Sequence, residues 1–116
     1  MRTNFQMTDQ NITMVQGDTL SFNVIVKDET GEPVNVSQAH MIARKDIDLS
    51  YEPIFDAYLD HGITQEDGVL TVRIAPSMTG DFEGFCYYAM YIVIGTSPNH
   101  DTYTLLRGMI QIENKV

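Results

Sequence analysis

The stretch from Gly84 to Gly95 constrains the fold most, because it is a long run of aromatic and β-branched residues bounded by a glycine at each end. Such a run predicts a strand. The side chains of a strand alternate between its two faces, and here neither face is polar. A half-exposed antiparallel strand would show one polar side, so we expect both faces to be covered. One face carries Cys86, Tyr88, Met90, Ile92 and Ile94, and the other carries Phe85, Tyr87, Ala89, Tyr91 and Val93.

Alternating apolar residues and turn signals predict further strands along the rest of the chain. Residues 1–10 are polar and without a repeating pattern, which predicts an N-terminal arm, and residues 11–116 then form one domain. No segment is convincingly helical. About seven strands joined by short turns are typical of an immunoglobulin-like antiparallel β-sandwich, so the expected fold class is all-β. The expected strands are Ile12–Val15, Thr19–Lys27, His40–Lys45, an edge strand Ile54–Leu59, Gly68–Ile74, the Gly84–Gly95 stretch and Thr102–Ile112, with a turn at Pro76–Gly80.

Charge and composition exclude several classes of partner. The chain has 16 Asp and Glu against 7 Lys and Arg, a net charge of −9. Phosphate backbones and anionic lipid surfaces repel such a protein, so we expect neither nucleic acid nor a membrane as partner. Cys86 is the only cysteine, which rules out an intrachain disulfide and fits a reducing compartment.

The sequence contains no motif that points to catalysis, and we assign no catalytic residue and no cofactor. His40, His61 and His100 fall in different elements without the spacing of metal ligands, so no metal site is expected from them. Residues 46–67 hold seven acidic residues and no Lys or Arg. Oxygen ligands of this kind suit calcium, but a dense acidic segment is more often a solvated loop, which is the expectation here.

Three stretches of the sequence are similar to one known domain: ITMVQGDTLSF (residues 12–22), KDETGEPVNVSQA (residues 27–39) and the closing strand LLRGMIQI (residues 105–112). They resemble the immunoglobulin-like N-terminal module of the baseplate upper proteins of siphophages, which are tailed phages. The resemblance implies a structural protein of a virion, made in the cytoplasm of a host bacterium. The acidic segment 46–67 has no counterpart in it, so the resemblance implies a virion component more firmly than it implies a baseplate location.

The second face of the central strand is the candidate interaction site, because Phe85, Tyr87 and Tyr91 give it a large aromatic surface. Aromatic residues are enriched at protein interfaces, and exposed apolar patches often mark them. One hypothesis is therefore a non-enzymatic module, present in many symmetric copies, that docks on capsid, tail or baseplate subunits through this face and its arm. The alternative function is recognition of a host-surface glycan. The alternative cover for the face is the chain itself, through Ile47, Leu49, Tyr51 and Phe55.

Overall fold

A computed structural model describes residues 8–28, 30–45, 52–80, 82–95 and 100–114. Over these residues the protein has nine strands and one short helix. Strands β8 and β9 are the longest and pair with each other along almost their whole length. The elements are β1 (Thr8–Asp9), β2 (Ile12–Val15), β3 (Leu20–Ile25), β4 (Gln38–Arg44), β5 (Pro53–Leu59), β6 (Gly62–Glu66), β7 (Val69–Ile74), α1 (Pro76–Thr79), β8 (Gly84–Ile94) and β9 (Asp101–Glu113).

The described strands belong to one mixed sheet, in the order β1-β9-β8-β4-β5-β6-β7-β3, and β2 also pairs with β9. Three pairings are parallel, namely β1–β9, β2–β9 and β5–β6, and the others are antiparallel. The sheet is nearly closed into a barrel, with β3 at one edge and β1 and β2 at the other. The all-β prediction is confirmed. The finer prediction of an immunoglobulin-like sandwich with seven strands is not.

The core fills the inside of this curled sheet. The inner face of β8 is buried at Cys86, Tyr88, Met90 and Ile92, as its alternation predicts. The other strands add every second side chain to the same core, because a strand that is covered on one side buries alternate residues. The largest fully buried side chains outside β8 are Met41, Ile63, Leu70, Ile74, Ile110, Ile112, Val26 and Val72.

Strand β6 was not predicted, and its position corrects the prediction of an edge strand at Ile54–Leu59. Strand β5 pairs with β4 on one side and with β6 on the other, so it lies inside the sheet. Strand β6 then turns into β7 through Asp67 and Gly68, which have φ angles of 50° and 78°. Positive φ at both central residues is the geometry of a type I′ hairpin turn, for which Asp-Gly is a preferred pair.

The expected turn at Pro76–Gly80 is in fact the helix α1, so the prediction of an entirely non-helical chain is wrong by one turn. Pro76 occupies the first turn, where a missing N–H costs nothing. The helix ends at once because Gly80, with φ of 58°, follows it, and the Gly80 N–H donates to the Pro76 carbonyl at 3.1 Å. No helix in the described part of the chain has the length and apolarity needed to cross a membrane.

The end of the predicted arm is held on β9. Thr8 and Asp9 pair with Leu106 and Arg107, and the Gln10 N–H donates to the Arg107 carbonyl at 2.9 Å. The buried Tyr88 donates its hydroxyl to the Gln10 carbonyl at 2.7 Å, a contact of tyrosine with backbone that buried tyrosines in β-sandwiches often make.

Gly108 of β9 allows this approach, because a Cβ at that position would collide with the Gln10 carbonyl. One residue further along the chain, the Asn11 side-chain oxygen accepts a hydrogen bond from the Met109 N–H at 3.0 Å.

Candidate protein-interaction face

The outer face of the sheet, which is the side turned away from the core, displays the three residues predicted as an interface. Along β8 these are Phe85, Tyr87 and Tyr91, at alternate positions to the buried residues. Phe85 is 55% exposed and Tyr87 is 42% exposed, whereas Tyr91 is only half-buried. Exposed large aromatic side chains of this kind are rare on a solvated sheet face, so the Phe85–Tyr87 end is the candidate docking site.

Tyr91 has a different environment from the other two, because it belongs to a row of rings that crosses the outer face. The ring of His40 on β4 stacks on Tyr91, with centroids 4.9 Å apart and planes 16° apart. On its other side His40 meets Tyr58 of β5 at 6.0 Å, and Tyr58 stacks on His61 at 4.8 Å. We call these four residues the aromatic row. The register of the strands explains the aromatic row, because Tyr91 pairs with His40 and His40 pairs with Tyr58 across neighbouring strands.

The three predicted interface residues therefore do not form one cluster. Tyr87 and Tyr91 are four residues apart on one strand, which corresponds to about 13 Å. Tyr87 lies between Arg44 of β4 and Met109 of β9, at the end of the sheet opposite to the aromatic row. The outer face thus has an exposed aromatic end and a half-covered end.

Two polar side chains of β4, those of His40 and Arg44, are partly buried at this outer face. The His40 Nδ1 atom lies 3.8 Å from Asp56 Oδ1, close enough for an ion pair when the imidazole is protonated. Among the described residues, neither this nitrogen nor the buried Nε of Arg44 has a hydrogen-bond partner. Buried polar atoms without partners are costly and rare in folded proteins.

The sequence also suggested that four residues of the chain itself, among them Phe55, cover the outer face of β8. Phe55 pairs with Ala43 and points into the core, so it does not lie over the outer face, and that part of the expectation is wrong. The other three residues of the proposed cover, Ile47, Leu49 and Tyr51, lie outside the described residues.

A groove separates the two edges of the sheet. It has a volume of about 560 Å³, and β3 lines one side while the segment from Gln10 to Ile12 lines the other. Tyr88 and Leu106 complete the lining. Leu20, Phe22 and Val24 point towards this groove and are only half-buried, although the alternation of β3 marks them as core residues. The core is thus incompletely covered along β3.

Nothing in the described residues forms a metal centre, because no three His, Cys, Asp or Glu side chains come together there. Residues 46–51, which begin the acidic segment, lie outside the described residues. Cys86 is fully buried, and burial raises the pKa of its thiol to about 11. A thiol with such a pKa stays protonated at neutral pH and acts as a small apolar side chain of the core.

The aromatic row is the part of this surface that the sequence did not reveal. His40 and His61 were considered only as metal ligands, and Tyr58 was placed on an edge strand. The row depends on register between strands that are up to about fifty residues apart in the chain, which local patterns do not give. Compared with known proteins, the sequence matches no protein-family model and shows no significant match to a curated protein.

Proposed function

We propose that this protein is a non-enzymatic structural or accessory component of a phage particle. In this proposal an immunoglobulin-like module docks on capsid, tail or baseplate subunits through the Phe85–Tyr87 end of its outer face, and its N-terminal arm contributes a second contact. The observation that carries the proposal is the exposure of Phe85 and Tyr87 on a sheet face that has no polar residues along β8. The phage assignment follows from the resemblance of residues 12–22, 27–39 and 105–112.

The order of strands supports the immunoglobulin-like part of the proposal. Lettered from β3 as B, the strands β9-β8-β4-β5 follow the order G-F-C-C′, and β6-β7-β3 follow D-E-B. The two sheets of a variable-type immunoglobulin domain have the same strand orders, which supports this part of the proposal. Among the described residues, two pairs join the two halves into one sheet, namely Tyr58 with Gly62 and Leu59 with Ile63. A sandwich bridged by this short parallel contact accounts for the nearly closed barrel.

The charge of the protein limits the kind of partner. A net charge of −9 disfavours nucleic acid and anionic lipid, so the docking partner is another protein. A structural module repeated by symmetry needs only a modest contact in each copy, because the contacts add over the assembly. Two exposed aromatic side chains are suitable anchors for such a contact.

Glycan recognition, the alternative, calls for a concave site lined by Phe85, Tyr87 and Tyr91. In the described residues these side chains lie on the open face of a strand, and none of them lines the groove between the sheet edges. This placement favours docking of a subunit over binding of a sugar.

The test compares substitutions that add the same charge at different places. Tyr87→Asp removes an exposed aromatic side chain, and Thr64→Asp introduces the same charge at an exposed position on β6. Binding to particles that lack the protein is measured by co-sedimentation, with a thermal melt of each variant. We expect Tyr87→Asp to weaken binding about tenfold or more with a nearly unchanged melt, and Thr64→Asp to bind normally. Normal binding of Tyr87→Asp would refute the docking face, and imaging of labelled particles would place the protein on head or tail.

A further inference from the structure

The groove between β3 and β2 has the features of a site for an added strand. In the described part of the chain β3 pairs only with β7, and β1 and β2 pair only with β9, so the two edges that face the groove have no strand partner. Unpaired edges are templates for another strand. Proteins usually protect such an edge with charged residues or proline, but β3 has the sequence Leu-Ser-Phe-Asn-Val-Ile and contains neither.

The groove also has pockets for alternate apolar side chains. Leu20, Phe22 and Val24 are half-buried along it. Ile25 lies at the same edge but on the opposite face of β3, and at 64% it is the most exposed large hydrophobic residue in the described part of the chain. An added strand would pair with this edge through backbone hydrogen bonds, and every second side chain of it would cover Leu20, Phe22 and Val24. Strand β3 has six residues, so an occupant of six or seven extended residues matches its length.

A segment of this chain with that length and pattern precedes β1. Residues 1–7 are Met-Arg-Thr-Asn-Phe-Gln-Met, in which Met1, Thr3, Phe5 and Met7 alternate with Arg2, Asn4 and Gln6. One side of such a strand is largely apolar and the other is polar, which is the pattern that half-covered strands show. The alternation becomes meaningful only beside an unpaired edge, since the arm as a whole is polar.

The charge of residues 1–7 also favours this segment as the occupant of the groove. Arg2 is the only charged residue in the segment, whereas all 16 acidic residues lie in the rest of the chain. A cationic strand is attracted to a protein of this charge, and the attraction is weakened by salt.

The direction of the chain shows that residues 1–7 cannot simply enter the groove of their own chain. Strands β2 and β3 are joined by the turn at residues 16–19, so they run in opposite directions and the turn closes one end of the groove. Thr8 lies towards the other end, and β1 points towards the turn as β2 does. Residues before Thr8 would have to reverse direction to lie along β3, while Thr8 and Asp9 are held on Leu106 and Arg107.

We propose that residues 1–7 of a second copy add as a strand to β3 and fill the groove, with Phe5 against its apolar wall. The contact is head-to-tail, because the arm of one copy enters the groove of the next, and such contacts build rings or filaments. This inference rests on the proposed function, in which the N-terminal arm makes a second contact, and it names the groove of another copy as the site that the arm binds. It can nevertheless fail while the Phe85–Tyr87 face still docks on other subunits.

The first experiment traps the strand in its groove. Full chains with Asn4→Cys, which keep Phe5 and place the thiol on the same outer face as residue 25, are mixed with full chains with Ile25→Cys, and a short bifunctional thiol reagent is added. The native Cys86 does not interfere, because it is fully buried. We expect cross-linked dimers from this mixture, and not from a control mixture of Asn4→Cys with Thr64→Cys, since Thr64 is exposed on β6 and far from the groove. Equal cross-linking in both mixtures would overturn the proposal. So would a cross-link that forms only within a chain carrying both Asn4→Cys and Ile25→Cys.

The second experiment measures self-association of the full chain by analytical ultracentrifugation. Phe5→Asp and Asn4→Asp add the same charge to opposite sides of the proposed strand. We expect Phe5→Asp to weaken association about ten- to a hundredfold, the change that loss of one large buried apolar side chain represents, and Asn4→Asp to weaken it much less. Equal effects of the two substitutions, or a wild-type chain that does not associate, would contradict the inference.

A Tyr87→Asp chain separates this inference from the proposed function. It should keep the self-association of the wild type while its binding to particles is weakened. If Tyr87→Asp acts as expected on particles but Phe5→Asp has no effect on self-association, the arm inference fails alone. If the reverse holds, the docking face fails and the arm contact stands.

Discussion

Replacing Gly108 by alanine tests how the arm is held on the domain. Gly108 lies in β9 opposite Tyr88, and a Cβ there would collide with the Gln10 carbonyl. Its φ is not among the positive values in the structure, so alanine causes no backbone strain of its own at this position. The substitution therefore acts through the close approach of the arm alone.

The expected cost follows from the hydrogen bonds that depend on this approach. Gln10 donates to the Arg107 carbonyl at 2.9 Å, Tyr88 donates to the Gln10 carbonyl at 2.7 Å, and Met109 donates to Asn11 at 3.0 Å. A hydrogen bond contributes about 0.5–1.5 kcal/mol net, so moving the segment aside should cost roughly 2–4 kcal/mol. In open space the same substitution would instead stabilise a strand by about 0.4–1 kcal/mol. A loss of stability therefore indicates that the alanine displaces the arm.

The assay is urea denaturation of four proteins: wild type, Gly108→Ala, Tyr88→Phe and the double variant. Tyr88→Phe alone should cost about 1 kcal/mol, because it removes one hydrogen bond and leaves the packing of the ring. In the Gly108→Ala background it should cost much less, since the Gln10 carbonyl has already moved. A stability of Gly108→Ala equal to or above that of the wild type would refute the reasoning, as would an unchanged cost of Tyr88→Phe in the double variant.

Two further predictions concern the two faces of β8. The folded-state pKa of Cys86, about 11, lies above its ordinary value of 9.0, so its contribution to stability is complete below pH 9 and is lost as pH rises to 11. The loss is on the order of 2 kcal/mol between pH 9 and 11, and Cys86→Ala should flatten the decline of urea stability across this range; identical slopes would contradict it. For the tyrosines, Tyr88→Ala should cost about 3–5 kcal/mol and Tyr87→Ala less than about 0.5 kcal/mol, with Tyr91→Ala between them because it loses only its stack on His40. A different order in the unfolding free energies of the isolated monomers would show that the burial pattern is not as described.

Local sequence patterns were sufficient to predict most of the strands. The alternation of β3 and β7 and the apolar run of β8 determine both the elements and their buried sides, because each strand has at least one covered face. Strand β6 was missed although its signal was present. Asp67-Gly68 between apolar residues at Ile63 and Val69 is a strong hairpin signal, and the density of acidic residues around it suggested a loop instead.

Contacts between distant segments could not be predicted in the same way. The arm pairs with β9 through backbone atoms, which leave no side-chain pattern in a polar segment. Gly108 was the available sign, since a glycine inside a strand often marks the close approach of another backbone. The aromatic row likewise follows from cross-strand register, which brings Tyr91, His40 and Tyr58 together from three strands.

The two apolar faces of β8 therefore have different explanations. Its inner face is apolar because it forms the core. On the outer face, the end near Tyr91 is half-covered by His40 of the neighbouring strand, and Val93 is buried as well, so its apolar residues are explained within the sheet. Phe85 and Tyr87 have no comparable cover among the described residues. A partner that docks on this face should thus contact Phe85 and Tyr87 first, and the predicted interface narrows from three residues to these two, with Tyr91 supporting the sheet beside them.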